Sequence, residues 1–280
     1  MASLTGPVLL PVGPNPVISR SQFFTISTGP LDLPRAGRSG GMQYEISHCN
    51  LPSCYEIECI ADHNTKTLDN TKTTVTGNPF VIYADELCSP VGLTDDELKQ
   101  DLYNQLIAGE ASVVEATFGA QLCGQAPGLS NNASVTDLGT ATDIVDAISR
   151  LEADLYNVYG VPGVLHVPYR FGAYFEYLHL GEYHDSKGIC RTKLGTAINF
   201  GHYPGLTPAG AAPAAGSMYI YITGQTVVWR TPDAELFVTS RGDILNRSTN
   251  QLTGVMEREY VVAFDCRVSG ILTPMKGAVT

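Results

Sequence analysis

Residues 92–121 read GLTDDELKQDLYNQLIAGEASVVEATFGAQ, and this stretch predicts one long helix around which the chain is organised. Thr94 stands before three acidic residues, and Glu97 follows it by three positions, which is the pattern of a capping box at a helix start. The acidic cluster also suits the positive end of the helix dipole. Apolar residues then recur at helical spacing: Leu98, Leu102, Leu106, Val113, Val114 and Phe118. Gly109 lies inside this helix, which is predicted from Thr94 to Gln121, and is expected to kink or loosen it.

The composition is that of a folded chain with a small charged fraction. Its 280 residues indicate one large or two modest domains, and 44% hydrophobic residues supply a core. Only 16% of the residues are charged, which fits a surface buried against copies of the same chain, although a loop-rich domain of small residues has the same composition. The net charge of −11 argues against a broad nucleic-acid-binding surface, but not against a protein that encloses nucleic acid without gripping it.

The N-terminal sequence carries no recognisable targeting signal. MASLTGPVLLPVGPNPVISR has prolines at 7, 11, 14 and 16, no basic segment and no uninterrupted apolar core, so we do not expect a signal peptide. No stretch has the length of apolar sequence that spans a bilayer. The expectation is a soluble intracellular protein without a membrane segment.

The chain has seven cysteines, an odd number that cannot all pair within it, and in an intracellular protein they are expected to be reduced, buried thiols. A zinc site is the alternative, with three evenly spaced cysteines and nearby donors: Cys49, Cys54, Cys59, His48, His63 and Cys88. The C-x-x-C spacing of zinc knuckles is absent, and five-residue steps along a strand place successive cysteines on opposite faces. No metal site is therefore predicted.

One dense group of histidine and carboxylate residues has the donors for metal-dependent chemistry. It is the segment HLGEYHD, with His179, Glu182, His184 and Asp185. The preferred interpretation is a solvated loop after an aromatic helix. His166, in the apolar run VLHVP, is interpreted as a hydrogen-bonded core histidine. The sequence lacks the G-x-S-x-G, H-E-x-x-H, Walker and G-x-G-x-x-G motifs, so we predict neither enzyme activity nor a cofactor.

The order of predicted elements is that of an α+β chain without Rossmann-type alternation. Residues 1–40 form an arm, punctuated by Pro and Gly, that cannot bury itself. Residues 42–88 have the alternation of a β-hairpin, interrupted by the Thr- and Asn-rich stretch 63–78, which is interpreted as an exposed tip. Downstream of the long helix we predict a polar connection at 125–143 and a helix from Asp143 to Tyr159 with Gly160 as its C′ residue. A buried strand at 161–168, an aromatic helix at 169–181 and a strand pair at 188–205 are predicted next. Further strands are predicted at 217–224, 225–231 and 234–240, followed by a final strand from Arg258 to Met275.

This order, together with two sequence runs, resembles one known family. RTKLGTAINFG at 191–201 is similar to a T–L–G–x–P/A–V segment of that family, and NQLTGVMEREYVVAFDCRVSGILTP at 250–274 is similar to its closing strand. The family is that of the major capsid proteins of tailed bacteriophages, the Hong Kong ninety-seven fold, shared with encapsulins. The resemblance covers nearly the whole chain and implies an α+β fold with five parts: an N-terminal arm at 1–41, an extended β-hairpin loop at 42–88, a peripheral domain with a spine helix at 89–133, an axial domain at 134–240 and return strands at 241–280.

The function that the resemblance implies is structural. The chain would be a major capsid protein that self-assembles into the icosahedral head of a tailed bacteriophage around double-stranded DNA. Its partners would be copies of itself in hexamers and pentamers, with scaffold, decoration and portal proteins, and it would reach the virion after synthesis in the host bacterial cytoplasm. No helical scaffolding extension precedes the arm, so the scaffold is expected to be a separate protein or a segment already removed from the chain, and Met1 favours the separate protein. The alternatives are an encapsulin-type shell or another head or tail structural protein, a metal-dependent enzyme that uses HLGEYHD, and a soluble β-rich binding module.

The resemblance also implies candidate residues for a covalent link between subunits. Some relatives join a lysine at the tip of the extended loop to an asparagine of a neighbouring subunit, with the help of a glutamate. The matching residue types in this sequence are Lys66 and Lys72 in the loop and Asn246, Asn250 and Glu257 near the end of the chain. Because lysines and asparagines are common in polar loops, the match is also expected by chance.

Overall fold

The computed structural model describes residues 22–46, 49, 73–88, 94–183, 188–233, 237–238, 245–246 and 251–275. Its helices are α1 (Phe23–Ile26), α2 (Arg35–Gly40), α3 (Asp95–Ala120), α4 (Ile144–Tyr159) and α5 (Gly172–Leu178), with a 3-10 turn at Tyr169–Phe171. Its strands are β1 (Thr28–Asp32), β2 (Met42–Ile46), β3 (Thr73–Gly77), β4 (Phe80–Cys88), β5 (Thr136–Thr140), β6 (Val164–Pro168), β7 (Glu182–Tyr183), β8 (Cys190–Arg191), β9 (Ala197–Gly201), β10 (Ser217–Thr223), β11 (Thr226–Arg230), β12 (Phe237–Val238), β13 (Leu245–Asn246), β14 (Gln251–Phe264) and β15 (Val268–Pro274). None of the helices within these residues is both long and apolar enough to cross a bilayer.

The first sheet is built around β14. Within the described residues β14 pairs antiparallel with β4, β11, β12 and β13, and β1 joins β11 in parallel. In β4, Phe80, Ile82 and Ala84 are buried, whereas Val81 and Tyr83 between them are exposed. Because successive side chains of a strand point to opposite faces, β4 has one covered and one open face.

Helix α3 covers one face of the first sheet. It starts as predicted, because the Oγ1 of Thr94 accepts a hydrogen bond from the backbone N–H of Glu97, whose carboxylate accepts one from the backbone N–H of Thr94. The backbone N–H and the hydroxyl of Thr94 both donate to the Glu97 carboxylate, and these two bonds hold the pKa of this exposed carboxyl below its usual value. The predicted stripe of Leu98, Leu102 and Leu106 is buried. Leu98 and Leu102 lie against Gly254 of β14, where the absence of a side chain lets the helix come close. The helix continues without a break through Gly109.

The second sheet has the strand order β5-β15-β10-β6-β9-β8-β7 within the described chain. Its β6–β9 and β5–β15 pairs are parallel, and its other neighbours are antiparallel. Helix α4 lies on β15 and β10, which its buried face contacts: Ile144, Ala147, Ile148, Leu151 and Leu155. As predicted, Asp143 caps the start of α4 through its carboxylate, and Gly160 ends it with a left-handed φ of 73°.

The predicted final strand from Arg258 to Met275 is wrong, because two strands of different sheets share this stretch. Strand β14 ends at Phe264 in the first sheet, and β15 begins at Val268 in the second. The turn between them holds Cys266 at a φ of 61°, a left-handed conformation that strand residues do not adopt. The chain therefore crosses from one sheet to the other at this turn.

Two strands lie where the sequence predicted loops. Strand β3 belongs to the Thr-rich stretch 63–78 and pairs antiparallel with β2, from Met42 opposite Gly77 to Ile46 opposite Thr73. Threonine is β-branched and favours extended backbone, which accounts for this strand. Strand β5 lies in the predicted polar connection and pairs with β15. The hairpin expected over 42–88 is thus formed by β2 and β3, whereas β4 belongs to the first sheet.

The second half of the predicted arm belongs to the core. Helix α1 places the fully buried Phe23 with its ring centroid 5.9 Å from that of Phe118 in α3 and 6.5 Å from that of His166 in β6. Strand β1 then joins the first sheet, and Leu33 after it is buried. The prediction that the arm cannot bury itself is wrong for this half, while residues 1–21 lie outside the described residues.

Two glycines give a matched pair of stability predictions. A Cβ at Gly163 would lie 2.0 Å from the carbonyl oxygen of Thr223 and 2.5 Å from Cδ2 of Leu155, whereas a Cβ at Gly109 would meet no atom within 4 Å. We expect Gly163→Ala to lower the free energy of unfolding by about 3 kcal/mol. We expect Gly109→Ala to raise it by about 0.5–1 kcal/mol, because alanine favours a helix interior. Urea denaturation measures both values, and similar values for the two variants would contradict the described packing.

Candidate functional site

A buried charged cluster joins α3 to the first sheet. The carboxylate of Glu110 accepts hydrogen bonds from Arg258 Nη1 at 2.6 Å, Arg230 Nη1 at 3.0 Å and Tyr260 Oη at 2.5 Å. Arg258 is fully buried, and its second terminal nitrogen donates to Asp233. Since Glu110 lies on α3 and its three donors lie on β11 and β14, the cluster fixes the helix to both strands.

The electrostatics of this cluster keep its donors protonated. Burial raises the pKa of Tyr260 above its usual value, and the negative charge of Glu110 and the hydrogen bond to it raise this pKa further. Burial by itself lowers the pKa of Arg258, but the neighbouring Tyr260 and Glu110 raise it more, so the net shift is upward. Both side chains therefore donate to Glu110 over the physiological pH range.

A second polar network joins α3 to the second sheet. One oxygen of the buried Glu115 carboxylate accepts from Asn199 Nδ2 at 3.2 Å, and the other accepts from the backbone N–H of His202 at 2.8 Å. Asn199 Nδ2 also donates to Tyr203 Oη at 2.5 Å. One helical turn before Glu115, Ser112 Oγ lies 2.8 Å from Nδ1 of His202. Helix α3 thus holds the end of β9 through two side chains.

The chain of hydrogen bonds continues to His166 in β6. Its Nε2 lies 2.9 Å from Thr223 Oγ1, and its Nδ1 lies 3.0 Å from Tyr203 Oη. The Thr223 hydroxyl donates to the carbonyl oxygen of Gly224, so its oxygen is left to accept the proton of Nε2. Nδ1 then accepts from the Tyr203 hydroxyl. These contacts confirm the predicted hydrogen-bonded core histidine and give it a neutral ring.

Acid is expected to destabilise the fold through His166. Burial lowers the pKa of His166 to about 3, from the ordinary value of 6.5. Between these two values the unfolded chain binds the extra proton, so stability falls as the pH drops through this window and is unaffected above it. We expect acidification from pH 7.5 to 5 to remove about 2 kcal/mol through this residue. In His166→Gln this part of the pH dependence should disappear from urea unfolding curves; a variant with the wild-type pH dependence would contradict the assignment.

The base of the β2–β3 hairpin lies on the face of the first sheet that is opposite α3. The ring centroid of Tyr44 in β2 lies 6.4 Å from that of Trp229 in β11, and burial raises the pKa of Tyr44 to about 12. A Cβ at Gly77 would lie 2.8 Å from Cγ1 of Val261 in β14, so glycine permits the close approach of β3 to this sheet.

Beyond this base the same face of the sheet is open within the described chain. Val81 and Tyr83 of β4 are 44% and 64% exposed. Tyr83 lies opposite Glu257 of β14, and Val81 lies opposite Glu259, whose carboxylate pairs with Arg38 of α2 at 3.3 Å. We call this surface, defined by Val81, Tyr83 and Glu257, the β4 face. Exposed aromatic and apolar side chains beside charged ones are typical of protein–protein contact surfaces.

The described members of the HLGEYHD group are not arranged as a metal site. His179 is exposed and ends α5 with a left-handed φ of 51°, and Glu182 of β7 forms an ion pair with Lys193. His184 and Asp185 lie outside the described residues. In the part of the chain that the structure describes, no group of three His, Cys, Asp or Glu residues is placed to hold a metal ion.

The described cysteines match the predicted reduced, buried thiols only in part. Cys49 is joined to Cys266 by a disulfide that spans a sequence separation of 217 residues. Cys123 is a free thiol and is exposed, so the expectation of burial is wrong for it, whereas Cys190 is free and buried as expected. The remaining members of the candidate zinc set lie outside the described side chains: His48, Cys54, Cys59, His63 and Cys88.

The crosslink candidates are described only in part. Glu257 lies on β14, opposite Tyr83 and within the β4 face. The backbone of Asn246 pairs with that of Gln251 between β13 and β14. Three candidates lie outside the described residues: Lys66, Lys72 and Asn250.

The charged residues of the two networks were not predicted from the sequence, although their spacing carries a signal. Glu110 follows Leu102 and Leu106 at the next step of the four-residue apolar stripe, and Arg258 alternates between Met256 and Tyr260 on the buried face of β14. A charge at a position where the periodicity calls for an apolar residue indicates a buried, paired group. In α3 this signal marks the contact of the helix with the sheet.

The comparisons with known proteins give structural matches only. No protein-family model matches the chain. No curated protein matches its sequence. The capsid of a native GTA particle matches with a TM-score of 0.58 at 13% identity, covering 98% of this chain and 94% of that chain. A Mycobacterium phage Bobi structure matches with a TM-score of 0.53 at 11% identity, covering 90% and 89%. The SrpI encapsulin of Synechococcus elongatus PCC 7942 matches with a TM-score of 0.53 at 11% identity, covering 100% and 95%.

These likenesses extend along nearly the whole of each chain, although sequence identity is low. They agree with the mixed α+β architecture, in which a hairpin, a long helix and two sheets follow one another. The chain therefore has the Hong Kong ninety-seven fold that phage capsid proteins and encapsulins share.

Proposed function

We propose that this chain is the major capsid protein of a tailed bacteriophage and that it self-assembles into an icosahedral shell around double-stranded DNA. The match to the GTA capsid subunit, over 98% of this chain and 94% of that one, carries the proposal. The principal partners are other copies of the chain, the location is the virion capsid and the role is structural. Networks that fix α3 to both sheets suit a subunit that acts as a rigid building block.

We assign the parts of the chain to roles in this shell. Residues 1–41 form the arm, 42–88 the extended loop, 89–133 the peripheral domain with α3 as its spine, 134–240 the axial domain and 241–280 the return strands. The axial domain, with α4, α5 and most of the second sheet, packs around the shell axes in pentamers and hexamers, a heterologous contact that closes by rotation. Strand β15 of the return segment completes that sheet. The crossing from β14 to β15 supports a division into two packed units.

The β4 face is the surface on which we place the extended loop of a neighbouring subunit. It continues the sheet face that the chain's own β2–β3 base contacts, and it exposes Val81 and Tyr83. Tyrosine is enriched among the residues that contribute most to protein contacts. The loop of one copy would thus extend the cover that the base of the same hairpin begins.

The net charge of −11 supports a shell that holds DNA without binding its phosphates. Scaffold, decoration and portal proteins complete the proposed set of partners, and synthesis takes place in the host bacterial cytoplasm. The encapsulin match supports one alternative function, a compartment shell with the same fold. A phage capsid and a compartment shell differ in what the particle contains.

Nuclease protection tests this function directly. Particles that contain this chain, purified from producing cells and treated with DNase, are expected to retain double-stranded DNA that becomes sensitive once the shell is disrupted. Particles that hold protein cargo and no protected DNA would support the encapsulin alternative instead. A chain that copurifies with no particle at all would contradict both forms of shell.

A covalent link between neighbours is a further part of the proposal. Nζ of Lys66 or Lys72 would form an amide with the side chain of Asn246 or Asn250, releasing ammonia, while the Glu257 carboxylate accepts a proton. Assembled particles boiled in detergent are then expected to give a ladder of bands on a gel. Glu257→Gln should reduce the ladder to monomer, and Glu182→Gln should leave it intact. Monomer alone from wild-type particles would exclude the link.

A further inference from the structure

We propose that the Cys49–Cys266 disulfide is a redox-controlled lock. It fixes the root of the extended hairpin, by which we mean β2 and the residues after it as far as Cys49, to the turn between the two sheets once the chain leaves a reducing compartment. The bond itself is a property of the folded chain. Its timing rests on the proposed function, because a phage shell is built in a reducing cytosol and released into an oxidising medium.

The position of the two cysteines makes their bond a junction of three parts of the fold. Cys49 follows the end of β2 at Ile46 by three residues, so it stands where the hairpin leaves its base. Cys266 lies in the short turn between Phe264, the last residue of β14, and Val268, the first of β15. The disulfide therefore ties the hairpin to the point where the chain passes from the first sheet to the second.

The turn that carries Cys266 is held firmly on its own. The backbone N–H of Asp265 donates to the carbonyl of Gln225 at 2.9 Å, and the N–H of Cys266 donates to Oδ1 of Asp265 at 2.8 Å. The hydroxyl of Tyr159 in α4 lies 3.4 Å from the other oxygen of that carboxylate. The hairpin root is fixed separately by the contact of Tyr44 with the first sheet. The two thiols are thus presented to each other by the fold.

The exposure of the two cysteines sets the order of the chemistry. Cys266 is only 8% exposed, whereas Cys49 is partly exposed and can meet a dissolved oxidant. The thiolate of Cys49 attacks one sulfur of oxidised glutathione and releases one glutathione thiolate. The thiolate of Cys266 then attacks the Cys49 sulfur of the mixed disulfide and releases the second. Two thiols lose two protons and two electrons, and one oxidised glutathione becomes two reduced molecules.

The lock is expected to act strongly on stability. A bond across a separation of 217 residues closes a long loop in the unfolded chain, and such constraints destabilise the unfolded state more as the loop lengthens. In the folded chain it holds the hairpin root while the two sheets keep their places. In a reduced chain only non-covalent contacts, such as that of Tyr44 with Trp229, would hold that root, and these can break and re-form during assembly, whereas an oxidised chain would hold the position it has reached.

Thiol trapping and peptide mapping test the lock on the full chain. Cells are lysed in iodoacetamide and guanidinium chloride, which unfolds the chain so that the buried Cys266 thiol can react, and a parallel sample is purified reduced and then incubated with oxidised glutathione. We expect alkylated Cys49 and Cys266 in the first sample and a linked Cys49–Cys266 peptide in the second. Oxidation should raise the melting temperature by roughly 5 °C or more, and dithiothreitol should reverse the rise. Cys49→Ser and Cys266→Ser should each abolish the rise, while Cys123→Ser, which removes an exposed free thiol, should keep it.

Three results would overturn the proposal. They are a pair already linked in growing cells, a purified chain that forms no Cys49–Cys266 peptide with oxidised glutathione, and a melting-temperature rise that persists in both serine variants. Each is read on the subunit alone, so the outcome does not depend on whether particles form. Failure of the capsid function would instead appear as an absence of shells with the lock intact.

Discussion

Replacement of Glu110 by alanine is expected to lower the free energy of unfolding by about 3 kcal/mol or more. The substitution removes the carboxylate that accepts from Arg258, Arg230 and Tyr260, and it leaves the fully buried guanidinium of Arg258 with its contact to Asp233. Alanine favours helices more than glutamate does, so the loss would not come from α3 itself. Urea denaturation at neutral pH measures the effect.

The matched control for this prediction is Glu182→Ala. Glu182 also pairs with a cation, Lys193, but both side chains are largely exposed, and surface ion pairs contribute at most about 1 kcal/mol. The double variant Glu110→Leu with Arg258→Met should recover part of the loss, because it removes the buried charge together with its partner. Equal losses for Glu110→Ala and Glu182→Ala would show that the cluster does not anchor α3.

Replacement of Tyr83 by aspartate is expected to abolish shell assembly while the subunit stays folded. Tyr83 is 64% exposed on the subunit, so the substitution removes no core contact. At a subunit contact it would remove an aromatic anchor and place a new carboxylate beside Glu257, which lies directly opposite on β14. An anchoring tyrosine contributes roughly 2 kcal/mol or more. Every subunit of a shell makes this contact, so the lost contact free energy adds up over the whole particle. Sedimentation should therefore show subunits and no shells.

Tyr83→Phe is the matched control, because it keeps the ring and should assemble like the wild type. The melting temperature of the unassembled Tyr83→Asp subunit should fall by only about 1–4 °C, the cost of one exposed like-charge pair with Glu257, which separates a lost contact from a lost fold. Wild-type yields of shells from Tyr83→Asp would mean that the β4 face does not contact a neighbour.

The helices could be predicted well because their signals are local. Thr94 with Glu97 caps α3, and Asp143 with Gly160 delimits α4, as the sequence indicated. The strand at Val164–Pro168 was also expected to be buried, since a run that is apolar apart from His166 leaves no solvent face. The resemblance of element order to phage capsid proteins predicted the fold that the structural matches show.

The remaining features depend on contacts between distant residues, which a local pattern does not carry. The apolar pattern runs on from β14 to β15, so it did not show that the chain changes sheets at Cys266. The bond from that residue to Cys49 pairs positions far apart in the chain. The rings that pack against Phe23 likewise belong to α3 and β6, so the sequence of the arm alone gave no reason to expect a core residue there.

Negative-stain electron microscopy of the purified chain after size exclusion shows directly whether the chain forms shells. We expect material in the void volume that consists of closed icosahedral shells, or of rings and tubes built from the same subunit contacts. A single monomer or dimer peak that persists at high concentration, and after addition of a scaffold protein, would contradict the assignment of this chain as a capsid subunit.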